Sequence, residues 1–409
     1  MADKIPLVTT DGLIEQVKAT DTVKIPGAFT LASMNQPQIN ALTPANGSQV
    51  YNTTVNQSQV YENSSWVHKG NTIISSTYLY IDTAGDDVNG NGSVSYPWLT
   101  VDKALDFLSK YTLLANVFIL IEKGDYSDVT DPLTINHPNG DKINIEGDSY
   151  LDTVVFSSVS GASGNYSYIL TTTHTSQYTV NDYVLVYGSD ATASNEIRAY
   201  GTLKVTAINP GVSITLHTIN TSAASGGTFY ISIPQVRWAR LLSITSPLAM
   251  VKGIQNVYSL AAHLDLIKVE QKVLGLVTIE DCLFVNVGTA RYGYCKNLCG
   301  TSVYLRRTGT RNTNAGWYCY QNASATIEDS GFTDCKYAIY IYTGSAAVLY
   351  SSTGISASIP HFIHNQYGVY ALMESIVAKD GNAPVFSNNT TDSSPAASSE
   401  GNYNSYVYL

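Results

Sequence analysis

The chain has 409 residues, 22 Lys+Arg against 32 Asp+Glu, a net charge of −10 and only 13% charged residues; 30 tyrosines stand against 9 Phe and 4 Trp. Polarity carried by Ser, Thr, Asn and Gly favours strands and turns, and excludes coiled coils, helical repeats and charged disordered chains. Scattered basic residues on an acidic chain exclude nucleic acid as the principal partner, and no apolar run approaches the roughly 18 residues of a membrane span, so no membrane insertion is expected.

The start, Met-Ala-Asp-Lys-Ile-Pro, lacks the apolar stretch of a signal peptide, so synthesis in a cytoplasm and use without processing are expected. Residues 1–75 form a first region. No charged residue occurs between Ile25 and Tyr61, and the β-prone pieces Gln49-Val-Tyr51, Gln59-Val-Tyr61 and Ser65-Trp-Val67 alternate with turn residues. A stretch this polar is expected to gain stability from partner subunits or a docking surface.

A second region spans 76–162. Thr77–Ile81 reads as a strand. Asp87-x-Asn89-x-Asn91-Gly92 copies the first half of a calcium loop, but Trp98 stands where the twelfth-position glutamate belongs. A polar turn is the plainer reading, and no metal site is expected. Thr100 is placed to cap a helix over 101–111, with Val101, Ala104, Leu105, Leu108 and Tyr111 on one face. Short β-branched strands follow at 116–122, 133–136, 142–146 and 153–156.

Residues 163–234 change character. The segments 178–187, 201–208, 212–216 and 228–233 alternate strictly, and Asn209-Pro210-Gly211 is a hairpin-grade turn. They predict a small antiparallel β-barrel or sandwich inserted into the surrounding fold. Residues 387–409 read as a polar C-terminal tail. The five cysteines, Cys282, Cys295, Cys299, Cys319 and Cys335, lack zinc spacing and read as reduced, buried, structural thiols.

The architecture of 235–386 comes from repeats. Thr278-Ile-Glu-Asp-Cys-Leu-Phe284 recurs as Thr326-Ile-Glu-Asp-Ser-Gly-Phe332, an offset of 48, or two coils of about 24. Gly316-Trp-Tyr-Cys-Tyr320 aligns with Ala338-Ile-Tyr-Ile-Tyr342 and Gly368-Val-Tyr-Ala-Leu372, and more loosely with Tyr292-Gly-Tyr-Cys-Lys296. Alternate strand residues share a face. Trp317, Ile339, Val369, Cys319, Ile341 and Ala371 then point inward. Tyr294, Tyr318, Tyr340, Tyr370, Tyr320 and Tyr342 form an outward column. Such repeats describe a solenoid of parallel β-strands of roughly eight to ten coils, about 40–50 Å long. Its open first coil needs a cap, and the 101–111 helix is suitably placed.

The run Gly85-Asp-Asp-Val-Asn-Gly-Asn-Gly92, then Tyr96-Pro-Trp-Leu-Thr-Val-Asp-Lys-Ala-Leu105, resembles the opening of right-handed parallel β-helices in bacteriophage tail spikes and tail fibres, which share the pectin-lyase-like fold. Ile119-Leu-Ile-Glu-Lys-Gly-Asp-Tyr126, Leu133-Thr-Ile and Ile143-Asn-Ile-Glu-Gly147 are similar to that group's first coils. Leu42-Thr-Pro-Ala-Asn-Gly47, Val50-Tyr-Asn-Thr-Thr54 and Gln59-Val-Tyr-Glu-Asn-Ser-Ser-Trp-Val67 resemble a structural module of phage head and tail appendages. The resemblance implies a homotrimer, attached through residues 1–75 to phage tail, baseplate or other virion proteins, with a β-helix that meets the host surface.

Many such helices cleave surface polysaccharide, and hydrolysis generally needs two carboxyl groups flanking the scissile bond. The catalytic candidates are Glu280, Asp281, Glu328 and Asp329; the plainer reading is solvated corner residues. Arg291, Arg306, Arg307 and Arg311 lie near the tyrosine column in sequence, but no lyase constellation stands out. No nucleophile elbow or phosphate loop is present, and no cofactor is expected. The carbohydrate-binding candidates are Tyr294, Tyr318, Tyr320, Tyr340, Tyr342 and Tyr370. Ring faces stack on sugars while hydroxyls hydrogen-bond; the column also suits a subunit interface or plain ladder stabilisation. Three functions follow: a non-enzymatic virion fibre or spike binding host polysaccharide, a polysaccharide lyase or glycoside hydrolase of the same fold, and a purely structural head fibre or baseplate decoration.

Overall fold

A computed structural model describes residues 6–8, 14–16, 32–53, 57–62, 65–68, 71–73, 75–162, 165–189, 201–218, 227–259, 265–270, 275–288, 290–350, 360–363, 365–380, 384–387, 389–394, 399–400 and 406–409. The chain divides into two compact units, Met1–Asn71 and Thr72–Leu409.

In the first unit, Gln49–Asn52, Gln57–Glu62 and Ser65–His68 pair as an antiparallel meander, with Ser33–Met34 parallel to its first strand. The helix Gln36–Asn40 starts in a capping box. The Asn35 side chain accepts from the Gln38 amide at 3.0 Å, and the Gln38 side chain accepts from Asn35 N–H at 2.9 Å. Ile39, Val50 and Val60 are its only buried apolar side chains among the described residues. Part of residues 1–75, the region expected to attach to the virion, lies outside the described residues, including most of residues 1–31.

The second unit is a parallel β-solenoid of about nine turns. Each full coil adds one strand to each of three sheets. The first sheet runs from Thr77–Ile81 through Val117–Ile121, Ile143–Gly147, Met250–Lys252, Leu276–Glu280, Ser302–Arg306, Ser324–Glu328 and Ala346–Tyr350 to Ile376–Asp380. The second runs from Gly124–Asp125 and Val236–Trp238 to Val385–Ser387, the third from Leu133–Ile135 and Leu242–Ile244 to Thr391–Ser394. Val117–Ile121 shows why these segments form strands. Val117, Ile119 and Ile121 are buried while Phe118 and Leu120 between them are not, so branched side chains fill the interior at a period of two. Each fully buried Val, Ile or Leu contributes about 1.5–3 kcal/mol. Phe332, Phe362 and Phe386 stack through the interior at 5.6 and 4.9 Å.

The cap is the helix Val101–Leu108, whose Val101, Ala104 and Leu108 close the apolar end. Thr100 Oγ1 accepts from Lys103 N–H at 3.2 Å. Asp87 accepts from Leu99 N–H, Thr100 N–H and the Thr100 hydroxyl at 2.8, 3.1 and 2.6 Å. Asp86 likewise accepts from the Val88 and Asn89 amides. The acids of the calcium-like stretch therefore fold the turn and cap the helix. Gly92 takes a φ of 76°, and a Cβ there would lie 2.7 Å from the Trp98 ring. The helix ends at Leu108 rather than 111, because Tyr111–Leu113 enters a strand. Arg240, 3% exposed, pins the cap by a two-toothed pair with Asp102 at 2.7 and 2.9 Å.

A closed antiparallel barrel is inserted between Ile143–Gly147 and Val236–Trp238. Its strands are Ser149–Ala162, Asn165–Thr171, Tyr183–Ser189, Gly201–Asn209, Ser213–Thr218 and Thr228–Pro234. It opens at Ser149, earlier than the composition suggests. The segment expected as a solenoid strand at 153–156 lies inside its first strand, paired from Ser149↔Pro234 to Val155↔Thr228. The barrel lies back on the second sheet of later coils. Leu185 covers Gly309 and Gly331, where a Cβ would approach its Cδ1 to 3.4 and 2.7 Å. Tyr183, Leu185 and Tyr187 pack with Val257, Leu283 and Val285. Thr202 N–H donates to Thr333 Oγ1 at 3.1 Å, and Arg311 Nη1 to the Thr202 carbonyl at 2.9 Å.

The segment expected as a polar tail from 387 keeps stacking. Thr391–Ser394 extends the third sheet and Tyr406–Tyr408 the first, with Val407 buried. Strand pairing uses backbone N–H and C=O groups, which small hydroxyl residues carry as well as apolar ones. Among the described residues, no helix is long and apolar enough to cross a membrane.

Candidate functional site

The third sheet carries the tyrosines. Tyr318, Tyr340 and Tyr370 are register partners in successive coils, as are Tyr320, Tyr342 and Leu372. Between them Trp317, Ile339, Val369, Cys319, Ile341 and Ala371 are all 0% exposed, so the alternation expected from the repeats holds. Tyr294 sits differently from its expected place. A bulge puts Lys296, not Tyr294, opposite Tyr318, and pairs Tyr294 with Ala315. Tyr294 is still within 5.9 Å of the Tyr318 ring.

Two further tyrosines join the face. Tyr337 and Tyr367 are register partners, and each precedes two consecutive buried residues. That local break in alternation returns them to the outside. Eight half-buried tyrosines thus form one surface: Tyr294, Tyr318, Tyr320, Tyr337, Tyr340, Tyr342, Tyr367 and Tyr370. The Tyr318–Tyr340, Tyr320–Tyr342 and Tyr337–Tyr367 pairs are stacked at 4.8, 5.7 and 5.2 Å, with interplanar angles of 23°, 7° and 15°. Rings stacked along the solenoid axis cover one another's faces. Those three pairs offer ring edges and hydroxyls, donors and acceptors that repeat with the coils, while Tyr340 and Tyr370 meet edge-on at 68°. Burial, then the neighbouring phenols, pushes Tyr340 up to about 12 and Tyr318 further still. Tyr318 and Tyr340 therefore keep their protons well above neutral pH. Lys296 and Lys336 lie 5.6 and 5.0 Å from the Tyr294 and Tyr337 ring centroids.

The four acidic candidates share one corner between the first and second sheets. Glu280, Arg306 and Glu328 are register partners in three successive coils. Asp281, Arg307 and Asp329 follow them in left-handed backbone, with φ of 50°, 45° and 50°. The solvated-corner reading is corrected here. Asp281, Glu328 and Asp329 are 1%, 4% and 3% exposed, beside the docked barrel. Arg307 grips Asp281 at 2.7 and 3.0 Å and also meets Glu280. Ser232 of the barrel donates to Asp281 at 2.9 Å. Against burial, which pulls it down, the Asp281 and Glu280 carboxylates raise the Arg307 guanidinium. Arg306 lies between the two glutamates, 3.6 Å from Glu280 and 3.8 Å from Glu328. Two coils separate those carboxyls, about 9.6 Å on strand spacing, at the wide edge for an inverting pair. Arg306 fills the coil where a scissile bond would have to lie. Glu328 is pushed up to about 7 by burial first, then by Asp329 and Glu280.

Cys282, Cys295, Cys319 and Cys335 are buried free thiols. Cys299 is only partly buried, in a left-handed turn with Sγ 2.7 Å from Gln321 Oε1. No group of three or more metal-ligating side chains is drawn together among the described residues.

No family model matches the chain, and no curated protein matches it. Among solved structures it is similar to the Gp54 tailspike of Acinetobacter baumannii bacteriophage AP22, described in complex with A. baumannii capsular saccharide. The two are 9% identical over 68% of this chain and 71% of that chain, with a TM-score of 0.18. A likeness at that score carries no argument about this protein.

Proposed function

We propose that the protein is a bacteriophage tail appendage, a fibre or spike, that binds host surface polysaccharide through its third sheet without cleaving it. In this reading residues 1–75 attach it to tail, baseplate or other virion proteins, and the chains assemble as a homotrimer. The observation that carries the reading is the face of eight half-buried tyrosines on stacked coils. A row of phenol hydroxyls repeating about every 4.8 Å suits an extended polymer of hydroxyl-bearing rings. Each hydroxyl contact contributes about 0.5–1.5 kcal/mol, so affinity is built from many weak contacts along the row.

The test is equilibrium binding of the purified chain to host capsular polysaccharide and lipopolysaccharide. The double substitution Tyr320→Ala, Tyr340→Ala is expected to weaken binding about tenfold, the equivalent of about 1.4 kcal/mol. Unchanged binding would remove the tyrosine face from the reading. Release of reducing ends or unsaturated uronate from the same polysaccharides would replace binding with cleavage. Mass in solution tests the trimer, and imaging of virions tests placement on the tail.

A further inference from the structure

We propose that two hollows at the corner between the third and first sheets are sugar subsites, and that the sugar residues they hold are uncharged. The inference rests on the proposed polysaccharide binding and adds where the polymer runs beyond the tyrosines and which of its residues are read there. Four successive strands of the third sheet end in this corner with two residues in left-handed backbone, at 299–300, 321–322, 343–344 and 373–374, with φ between 50° and 79°. Their amides are committed to the stacking of coils. Cys299 N–H donates to the Tyr320 carbonyl at 2.8 Å, Asn322 N–H to the Thr343 carbonyl at 3.0 Å and Gly344 N–H to the Met373 carbonyl at 2.8 Å. The backbone is therefore a fixed wall, and side chains are what it offers to a ligand.

Asn322 divides that wall. Gly300 and Gly344 stand one coil to either side of it, about 4.8 Å away on strand spacing, and leave the space around it open. Nothing lies within 4 Å of a Cβ placed at Gly300, and one placed at Gly344 would sit 2.5 Å from Asn322 Oδ1. The larger hollow, about 490 Å³, runs from Cys299 and Gly300 past Gln321 to Asn322 and Thr343; the smaller, about 310 Å³, runs from Asn322 and Thr343 to Glu374. Both volumes fall in the range of small-molecule sites, about 300–1,000 Å³. Asn322 is exposed, and its carboxamide has no hydrogen-bond partner among the described residues. Gln321 commits only its Oε1, to Cys299 Sγ. A carboxamide sets a donor beside an acceptor, the complement of neighbouring hydroxyls or of an acetamido group on a sugar ring. Tyr320 and Tyr342 directly precede the two turns, so a polymer resting on those rings continues into the hollows. Among the described residues, no lysine or arginine lines either hollow, and Glu374 lines the smaller. A uronate there would meet a like charge with no cation to pair it, which selects an uncharged ring.

Cys299 supplies a readout confined to the larger hollow, because it is partly exposed while Cys282, Cys295, Cys319 and Cys335 are buried. Alkylation of the full chain by a thiol reagent is timed with and without saturating host capsular polysaccharide or lipopolysaccharide, each native and after reduction of its carboxyl groups. Bound polymer is expected to slow Cys299 modification about tenfold or more, and carboxyl reduction is expected to leave that protection in place. Asn322→Gly removes the carboxamide at a left-handed position that glycine accepts without strain. It is expected to weaken binding about three- to tenfold with no change in the denaturation midpoint. Unslowed alkylation under bound polymer, or unchanged affinity in Asn322→Gly, overturns the subsites. If Tyr320→Ala, Tyr340→Ala still weakens binding in that case, the tyrosine reading stands without them. Protection that disappears on carboxyl reduction overturns the uncharged assignment. If neither polysaccharide binds the unaltered chain, the polysaccharide reading and this inference fall together. Should Asn322→Gly not fold, protection of Cys299 in the unaltered chain decides alone.

Discussion

The second and third sheets come from the same coils and share one interior, yet they meet the outside in opposite ways. The coil holding Gly309 also holds Tyr318, and the coil holding Gly331 also holds Tyr340. On the second sheet, absent side chains leave a trough into which Leu185 of the barrel fits. On the third, large flat side chains stack on each other and leave no seat for a barrel. In-register stacking amplifies a single choice of residue into a strip, because each coil repeats it about 4.8 Å further on. One strip is used for intramolecular docking, and the other is lined by its own stacked rings.

The comparison breaks most completely through the interior both faces share. Trp317 is 0% exposed, with Nε1 donating to Asn297 at 2.9 Å. Trp317→Ala is expected to cost about 3–5 kcal/mol in denaturant unfolding and to damage both faces together. Next is Gly331→Val, whose side chain collides with Leu185 and Gly201. An expected loss of about 1–3 kcal/mol should come with exposure of the barrel seat to protease, while the polysaccharide binding proposed for the tyrosines is expected to be retained. Tyr342→Ala acts on the other strip. Removing one ring of the 7° stack with Tyr320 is expected to cost about 0.5–1.5 kcal/mol of stability, and barrel docking should be unaffected.

The smallest effect is alkaline titration of the column. The folded state holds the Tyr340 phenol protonated above its ordinary value of 10. The stability this contributes is therefore complete below about pH 10 and is lost as pH rises towards 12. Spectrophotometric titration should show a group of tyrosines ionising late, and Tyr342→Ala should bring part of that group back towards ordinary behaviour.

How much was legible differs between the strips. The aligned segments beginning at Gly316, Ala338 and Gly368 state the third-sheet register outright, because alternating large apolar and tyrosine residues have a period of two. Tyr337 and Tyr367 escaped that reading since two buried residues in succession interrupt the period. Tyr294 was misplaced for the same reason, a bulge before Lys296. The orientation of the rings was not legible either: alternation says that a tyrosine points outward, not that its neighbour covers its face.

The acidic corner was legible as a repeated Thr-Ile-Glu-Asp element and misread as solvated. What buries it is a barrel inserted about 50 residues and more before Asp281 in the chain, through Ser232. The C-terminal stretch was misread from composition. Ser and Thr are poor apolar fillers, but the edge they join supplies hydrogen-bond partners whatever the side chain.

The amino-acid sequence by itself determined the solenoid, its inward residues, the capped helix at Val101 and the presence of an inserted antiparallel unit. Those follow from local periodicity and turn chemistry, which short segments carry on their own. Only the tertiary structure decided where the barrel lies, which acids it buries and which tyrosine surface remains open. Docking depends on shape and charge meeting across long sequence separations, and no local pattern encodes that meeting.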